Sequence, residues 1–555
     1  MKKNWKRNVM ICLTVFLAAV SSALPGNAAT REELCGVCYE IFVYSFYDSS
    51  GDGIGDLQGT LEKLDYINDG DPGTRTDLGC GMIWLMPVFP SPTYHKYDVT
   101  DYMAIDPEYG TLSDLETLTE ECHRRGVRLI LDLPLNHTST LHPWFQEAAE
   151  YLKTLPQGAE ISREDCKYAG YYNFTREQQS GFAELTGTDW YYEARFYYGM
   201  PDLDLDNEEV KEEIRKILEF WLEKGIDGFR LDAVTSYYTE SRQDNIRFLK
   251  WLREETKAIS PDCYLVGEAW TDVSDYAEYY GSGIDSLFDF SFAGQEGAIS
   301  ALVRGTRGAD WYGTKLMEEE KLFSSYNPDA VNAPFYTNHD MARSAGYYMY
   351  DDGRRVKMAQ ALNLLMPGNA FLYYGEELGM KGSGKDENKR APMYWSSDAD
   401  AAGLCAGPPE MDEFSMKFES LSEQSGDPDS IYCFVRDVIQ TRNAFPSIGC
   451  GTTELLESLS DKNVCALIRR SEQYPPVMLL FNLSEEEQKI DPGQEPLLLA
   501  DAEESSDAGL KDANAATESF VLQKVLCACG GEAVQEEGFV TLPGFSVAVL
   551  SPAIS

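Results

Sequence analysis

The stretch Gly228-Phe229-Arg230-Leu231-Asp232 decides the fold, because an apolar run ends there on a carboxylate. Two more carboxylates also follow apolar runs: Glu268 follows the run 264–266, and Asp340 follows the run 333–336. Short, nearly continuous apolar runs predict parallel strands that are buried on both faces. A polar side chain at the end of such a strand points out of the core. In a (β/α)8 barrel, the carboxyl ends of the strands carry the catalytic groups.

A cluster of three carboxylates needs a reason other than stability, since like charges repel and raise one another's pKa. Arg230 lies two residues before Asp232 and so on the same side of the strand, where its guanidinium can hold one carboxylate ionised. For any single carboxylate, a helix cap at the strand end is the alternative. For all three, with Arg230 and His339 beside them, the pattern favours a catalytic site.

Four motifs, in order along the chain, resemble those of the α-amylase family, glycoside hydrolase family 13. They are Asp132-Leu-Pro-Leu-Asn136-His137, Gly228-Phe-Arg-Leu-Asp232, Gly267-Glu268-Ala-Trp270 and Asn338-His339-Asp340. The resemblance covers roughly residues 37–446. It implies a (β/α)8 TIM barrel with a B domain inserted after strand 3 and a C-terminal β-sandwich domain. The form Met200-Pro-Asp-Leu is similar to that of secreted bacterial α-amylases intermediate between the oligo-1,6-glucosidase and neopullulanase groups.

The resemblance also assigns catalytic roles, residue for residue. Hydrolysis with retention needs a carboxylate nucleophile and a carboxylic acid across the glycosidic bond. The resemblance implies that Asp232 is the nucleophile, that Glu268 is the general acid/base, and that Asp340 stabilises the transition state. A poorly solvated Glu268 would keep its proton near neutral pH.

A second set of residues is implied to contact the sugar that is attacked. Tyr97 offers a ring face for stacking, and Asp98 accepts hydrogen bonds from sugar hydroxyls. For Asp386 and Arg390, a simple loop salt bridge is the alternative. The full set of implied substrate-binding residues is Tyr97, Asp98, His137, Arg230, His339, Asp386 and Arg390.

The linkage that is cut depends on the residues after the nucleophile. Ala233 stands where family members that cut α-1,6 links tend to have Val, which favours α-1,4 cleavage in starch and maltooligosaccharides. Thr235 and Ser236 replace the Lys-His pair of endo-acting α-amylases. This departure leaves open how the leaving part of the glucan is bound. An α-glucosidase, oligo-1,6-glucosidase or transglycosylase is the alternative. A non-catalytic glucan-binding or transporter-accessory subunit is disfavoured, since all three carboxylates are present.

The acidic segment after the first strand predicts a structural calcium site. Carboxylates at alternate positions around a glycine turn match the first nine positions of a calcium loop, although Gly59 stands where an EF-hand has Glu. The family resemblance implies a Ca2+ ion here. Its ligands would be Asp48, Ser50, Asp52, the carbonyl of Ile54, and Asp56. A solvated acidic turn is the alternative.

Composition and the N-terminal sequence limit which partners and which cellular location are expected. With 47 basic and 92 acidic residues, the formal charge is −45, which argues against nucleic acid and anionic membranes. Residues 1–29 carry a basic start, a short apolar run and small residues, so they predict a cleaved signal peptide and a secreted protein without a membrane anchor. We expect a monomer. The twelve cysteines after the signal peptide permit disulfides, whose pairing stays open.

Domain boundaries follow from changes in pattern. We place the catalytic barrel at 30–138 and 202–447, the B domain at 139–201, and the β-sandwich at 448–555. The aromatic groups Trp190-Tyr-Tyr and Phe196-Tyr-Tyr198 are either sugar platforms or the core of the small domain. The acidic stretch 484–537 permits no assignment.

Overall fold

The computed structural model describes residues 34–239, 241–348, 350–494, 520–536 and 538–552. Eight parallel strands form a barrel: β1 (Val37–Ile41), β2 (Met82–Leu85), β3 (Arg128–Leu133), β4 (Gly228–Leu231), β5 (Tyr264–Gly267), β6 (Ser286–Phe288), β7 (Val331–Ala333) and β8 (Ala370–Tyr373). Strand β1 pairs with both β2 and β8, and a bridge between Phe335 and Phe371 joins the ends of β7 and β8. The predicted TIM barrel is confirmed.

Helices on the outside of the barrel cover its strands. Helix Glu208–Glu223 shows why they form: Val210, Ile214 and Trp221 line its buried face at helical spacing, and the side chain of Asn207 caps its first turn. The helices of this layer are Leu57–Glu62, Leu64–Ile67, Leu112–Arg124, Glu208–Glu223, Arg242–Ile259, Val273–Tyr276, Ala298–Val303, Asp310–Tyr326, Arg354–Leu364 and Ile431–Ala444. They exclude water from the outer face of the parallel sheet, while side chains of the strands themselves fill the barrel interior.

A small unit is inserted between β3 and β4. It consists of helix Pro143–Thr154 and a three-stranded antiparallel sheet whose strands are Phe174–Thr175, Phe182–Glu184 and Tyr191–Glu193. Its core is aromatic: the ring of Phe145 lies 5.1 Å from that of Tyr172 and 4.8 Å from that of Tyr192. Trp190 is buried as well. The insertion predicted after the third strand is therefore present.

The C-terminal part forms two antiparallel sheets. Five strands make the first sheet, in the spatial order Thr452–Leu455, Val464–Arg470, Val477–Asn482, Ser546–Pro552, Phe520–Cys527. The second sheet consists of Gln488–Ile490, Phe539–Leu542 and Val534–Glu536. Leu480, Val540 and Leu550 share a core between the two sheets, while Phe481 faces the barrel and contacts Tyr312, with 5.4 Å between ring centroids. This is the predicted β-sandwich.

Several predictions agree with the structure only in part. The apolar run 37–46 predicts a first strand that extends to Phe46, but strand pairing stops at Ile41 and a 3-10 turn, Val43–Ser45, follows. The stretch 484–537 contains three strands, and residues 495–519 lie outside the described ranges. The predicted signal peptide lies outside them too, and the domain boundaries stay predictions. Within those ranges, no helix combines the length and apolarity that crossing a membrane requires.

Candidate active site

Arg230 lies at the centre of the carboxylate cluster. Its guanidinium contacts three carboxylates: Nη1 lies 2.6 Å from Asp232 Oδ1 and 2.9 Å from Asp132 Oδ1, and Nη2 lies 2.9 Å from Glu268 Oε2. The side chain is fully buried in β4, with its Cζ 5.2 Å from the centre of the Trp84 ring. A buried cation of this kind is stabilised only by such partners. Arg230 therefore positions the carboxylates at the ends of three adjacent strands.

Burial changes the pKa of two of these carboxyl groups. Burial raises the pKa of Glu268 to about 7, and it does the same to Asp132, although Arg230 opposes the shift in both cases. Glu268 Oε2 accepts hydrogen bonds from Arg230 and from the N–H of Ala233, at 3.2 Å. Because only donors face Oε2, the proton of a neutral Glu268 sits on Oε1. That oxygen is buried and has no hydrogen-bond partner among the described residues.

His339 connects the barrel interior to Asp340. Its Nδ1 lies 2.6 Å from the carboxylate of Glu40, a buried residue of β1, and its Nε2 lies 3.2 Å from Asp340 Oδ2 and 2.8 Å from the Tyr97 hydroxyl. Carboxylates only accept hydrogen bonds, so both ring nitrogens carry protons. Burial alone would lower the pKa of His339, but Asp340 and Glu40 outweigh it and raise the pKa to about 10.

Arg390 holds the other side of Asp340. Its Nη2 lies 3.0 Å from Asp340 Oδ1, and its Nη1 lies 3.6 Å from Asp386 Oδ2. Burial alone would raise the pKa of Asp340, but His339 and Arg390 outweigh it and hold this pKa well below its usual range. Asp340 is thus a fixed anion, whereas Glu268 titrates near neutrality.

A cavity of about 550 Å3 opens above these groups. Ten sequence-predicted residues divide into two layers around it. Those that line the cavity are Tyr97, His137, Asp232, Glu268, Asp340, Asp386 and Arg390. Arg230 and His339 lie beneath it, with both Nη groups of Arg230 and both ring nitrogens of His339 in contact with carboxylates. Asp98 is buried and accepts hydrogen bonds from the hydroxyls of Ser91 and Thr93. His137 offers Nδ1, which is buried and has no partner among the described residues.

The structure adds residues to the predicted site. Glu40 was hidden inside an apolar strand, although an acid in such a run is itself a signal. Trp270 and Ser236, which the sequence analysis named without placing them in the site, line the cavity, as do Phe196 and Tyr197 of the second aromatic group. The first group is core, while the side chains of the second are about half exposed or more at the cavity mouth.

The predicted calcium loop is held together by its own amide groups. The Asp48 carboxylate accepts hydrogen bonds from the N–H groups of Gly51, at 2.6 Å, and Gly53, at 2.7 Å, while Asp56 caps the next helix through the N–H of Gly59. The predicted ligand atoms of the ion are all oxygens, which are the ligands that Ca2+ prefers. Across the described residues, no three His, Cys, Asp or Glu side chains stand together so as to hold a metal ion. The calcium ion stays a prediction.

Comparison with known proteins identifies the family. Residues 40–451 match the model of the alpha amylase catalytic domain. The chain is 36% identical over 454 residues to alpha-amylase 3 of Dictyoglomus thermophilum, which covers 81% of this chain and 84% of that protein. It is 30% identical over 525 residues to glucan 1,6-alpha-glucosidase of Streptococcus pneumoniae, covering 82% of this chain and 92% of that protein.

Among solved structures, Amy13B of Eubacterium rectale superposes with a TM-score of 0.87 at 45% sequence identity, covering 95% of this chain and 97% of that one. A family match over most of the chain, with relatives of this similarity, defines its class. The chain belongs to the alpha-amylase family, glycoside hydrolase family 13, and is a glycoside hydrolase.

Proposed function

We propose that the enzyme cleaves α-1,4-glucosidic bonds in starch and maltooligosaccharides with retention of configuration. Asp232 attacks the anomeric carbon, and Glu268 protonates the leaving oxygen and then deprotonates the incoming water. Asp340 stabilises the positive charge that develops on the sugar. The observation that carries this proposal is the environment of Glu268: donors face Oε2, while Oε1 is buried at the cavity without a hydrogen-bond partner among the described residues and is thus free to carry the proton.

The surroundings of the two carboxyl groups support their separate roles. Asp232 lies 2.6 Å from the permanent cation of Arg230, so it is available as an anion. Burial keeps Glu268 partly protonated near pH 7. Two carboxyl groups whose environments differ in this way are what acid and nucleophile require.

The sugar ring would rest against the side chains of the cavity. Tyr97 offers a ring face, and its hydroxyl is held by Asp132 and His339. His137 Nδ1, Asp386 and Arg390 offer hydrogen-bonding groups for sugar hydroxyls. Ala233 follows the nucleophile in a left-handed conformation, with φ of 44°, where a β-branched residue would be strained. This small residue supports the assignment to α-1,4 links.

The deciding experiment follows products from maltoheptaose and from an α-1,6-linked glucose oligomer over time. We expect mixed short maltooligosaccharides from maltoheptaose and no products from the α-1,6-linked oligomer. NMR should show that the newly formed reducing ends appear first as the α-anomer. Asp232→Asn and Glu268→Gln should each lower kcat by at least about a thousandfold, while the circular dichroism spectrum is unchanged. Full activity in Asp232→Asn would refute the assignment.

A second candidate, an oligo-1,6-glucosidase, is favoured by the similarity to the streptococcal glucan 1,6-alpha-glucosidase. Glucose as the first product, or cleavage of the α-1,6 oligomer, would select it. We also propose that the protein is secreted, acts as a monomer, and carries a structural calcium ion bound by Asp48, Ser50, Asp52, Ile54 and Asp56.

A further inference from the structure

The turn after strand Phe520–Cys527 carries two thiols, in the run Cys527-Ala-Cys529-Gly-Gly. All twelve cysteines that the structure describes are free thiols. Eight of these side chains are buried and three are partly buried, which leaves Cys529 as the one exposed thiol among the described residues. A reagent in solution therefore reaches Cys529 more readily than any other described cysteine.

The backbone of the turn keeps the two side chains close together. The thiol of Cys527 donates a hydrogen bond to the carbonyl of Gly530, at 3.4 Å, and its sulfur accepts one from the N–H of Cys529. Gly530 and Gly531 have φ of 71° and 129°, a conformation that glycine adopts without strain. A Cβ atom on Gly531 would lie 3.9 Å from Cys527 Sγ. The chain thus folds around this sulfur.

The spacing of Cys527 and Cys529 suits a disulfide. Two residues of an extended strand span about 6.6 Å, and a disulfide joins Cα atoms that lie about 4.4 to 6.8 Å apart. Because Ala528 and Cys529 belong to the turn, the chain between the two cysteines is less extended than a strand. Rotation of the two side chains can therefore bring the sulfur atoms together without opening the backbone.

The two thiols have different surroundings. The guanidinium of Arg354 donates a hydrogen bond to the sulfur of Cys529, and an exposed sulfur beside a cation is the environment typical of reactive cysteines. Cys527 borders a cavity of about 240 Å3 between the sandwich and helix Ile431–Ala444, and burial raises the pKa of its thiol. Cys529 is therefore placed to react first with an outside reagent, and Cys527 to react second with Cys529.

The same turn contacts the barrel. Lys357, on helix Arg354–Leu364, donates from Nζ to the carbonyl of Ala528, at 3.4 Å, and to the carbonyl of Asp429, at 2.5 Å. Ala528 stands between the two thiols, and its N–H donates to the carbonyl of Phe545, at 2.9 Å. A bond between the sulfur atoms would close a ring around this contact between sandwich and barrel.

We propose that Cys527 and Cys529 form a reversible oxidation site, at which a low-molecular-weight disulfide converts the two thiols into one intramolecular disulfide. The site lies at the junction of barrel and sandwich, and none of the residues around its cavity lines the reaction cavity. An exposed disulfide is of the kind that thiols reduce readily, so the step runs in both directions.

The reaction balances with one molecule of the disulfide reagent. The sulfur of Cys529 attacks one sulfur of the reagent, the reagent's S–S bond breaks, and the first reagent thiol leaves with the hydrogen of the Cys529 thiol. The sulfur of Cys527 then attacks that of Cys529, the mixed disulfide breaks, and the second reagent thiol leaves with the hydrogen of Cys527. The protein loses two hydrogen atoms and two electrons, and the reagent gains both.

The test incubates the folded full chain with oxidised glutathione, then alkylates the remaining thiols in denaturant and maps the peptides by mass spectrometry. In the wild type, the peptide that holds Cys527 and Cys529 should lose two hydrogen atoms and carry no alkyl group. Dithiothreitol should restore alkylation of both residues. The other ten described cysteines serve as the internal control and should all be alkylated.

Two matched variants separate the steps, and circular dichroism of their reduced forms checks that both fold. Cys527→Ser keeps the exposed thiol without its partner, so glutathione should stay on Cys529 as a stable mixed disulfide. Cys529→Ser removes the thiol that reacts first, so modification of Cys527 should be at least about tenfold slower than that of Cys529 in the other variant.

Three results would overturn the proposal. Both thiols of the wild type could stay free, or glutathione could remain on Cys529 of the wild type as it does in Cys527→Ser. A bond from Cys527 to Cys433, which borders the same cavity, would also overturn it. These measurements use no sugar substrate, so their result is independent of the proposed function.

Discussion

Replacing Glu40 by Gln tests the electrostatic support of the site from inside the barrel. The amide keeps the shape of the side chain and still accepts a hydrogen bond from His339, but it removes one of two negative charges that raise the pKa of His339. That pKa rises from 6.5 to about 10. A shift of this size is worth roughly 5 kcal/mol of unfolding free energy. Asp340 supplies the larger part of this shift, and the hydrogen bond from His339 to the charged carboxylate of Glu40 is worth about 2 kcal/mol.

The direction of the pKa shift of His339 determines how the stability difference between wild type and variant changes with pH. Because the folded-state pKa of His339 lies above 6.5, its protonation stabilises the fold fully below pH 6.5, and this contribution is lost as the pH rises through about 10. In Glu40→Gln the pKa of His339 is lower, so the contribution is smaller and is lost earlier. The difference in stability between wild type and variant should therefore have its full size at neutral pH, shrink as the pH rises through the pKa of the variant, and disappear above pH 10.

Urea denaturation at pH 7 and pH 10.5 measures this difference. We expect about 2 kcal/mol at pH 7 and close to zero at pH 10.5, where the imidazole is neutral in both proteins. The control is Glu120→Gln, which makes the same chemical change at an exposed helix position and should show no difference at either pH. A loss in Glu40→Gln that stays constant from pH 7 to pH 10.5 would refute the reasoning, because it would reflect packing and not charge.

The value of kcat/KM should fall above about pH 7, because Glu268 must hold a proton to act as the acid and burial places its pKa at about 7; a profile flat to pH 9 would contradict that role. A calcium chelator should lower the melting temperature of the wild type, since an ion bound only to the folded state stabilises it, and Asp52→Ala should abolish the response. Identical melting curves with and without chelator would contradict the proposed calcium site. Arg442→Met should cost at least about 3 kcal/mol, because its buried guanidinium donates to the carbonyls of Leu364 and Met366, each costly to leave unsatisfied. An unchanged urea midpoint would contradict this, and Arg442→Lys should recover part of the loss.

The barrel could be predicted from sequence because its strands carry their signal locally. Each is an apolar run buried on both faces, and the carboxylates that end β4 and β5 stand directly after the runs. Strand ends were less well predicted, because an apolar run records burial and not pairing: Val43 and Phe46 are as buried as β1 but belong to no strand. The opposite error hid strand Phe520–Cys527, which is half exposed and follows an acidic stretch.

Partners that are distant in sequence could not be predicted in this way. Nothing near Glu40 indicates that it meets His339, which lies 299 residues away along the chain. The aromatic groups around Trp190 and Phe196 look alike in sequence, yet one packs against helix Pro143–Thr154 and the other faces solvent. Which group becomes core depends on where that helix lies, and a composition pattern does not contain that information.

The site is best understood as a set of charges that balance only when two protons are present. Apart from the exposed Asp386, which also pairs with Arg390, the connected carboxyl groups are Glu40, Asp132, Asp232, Glu268 and Asp340, and the cations are Arg230, His339 and Arg390. Burial raises the pKa of both Asp132 and Glu268 to about 7, so below that pH three anions face three cations. Each proton lost above it adds an unbalanced buried charge, which is costly. The three cations thus hold the pKa of Asp340 well below its usual range but leave that of Glu268 at about 7, and this difference places a proton donor beside the carboxylate of Asp232 in one cavity.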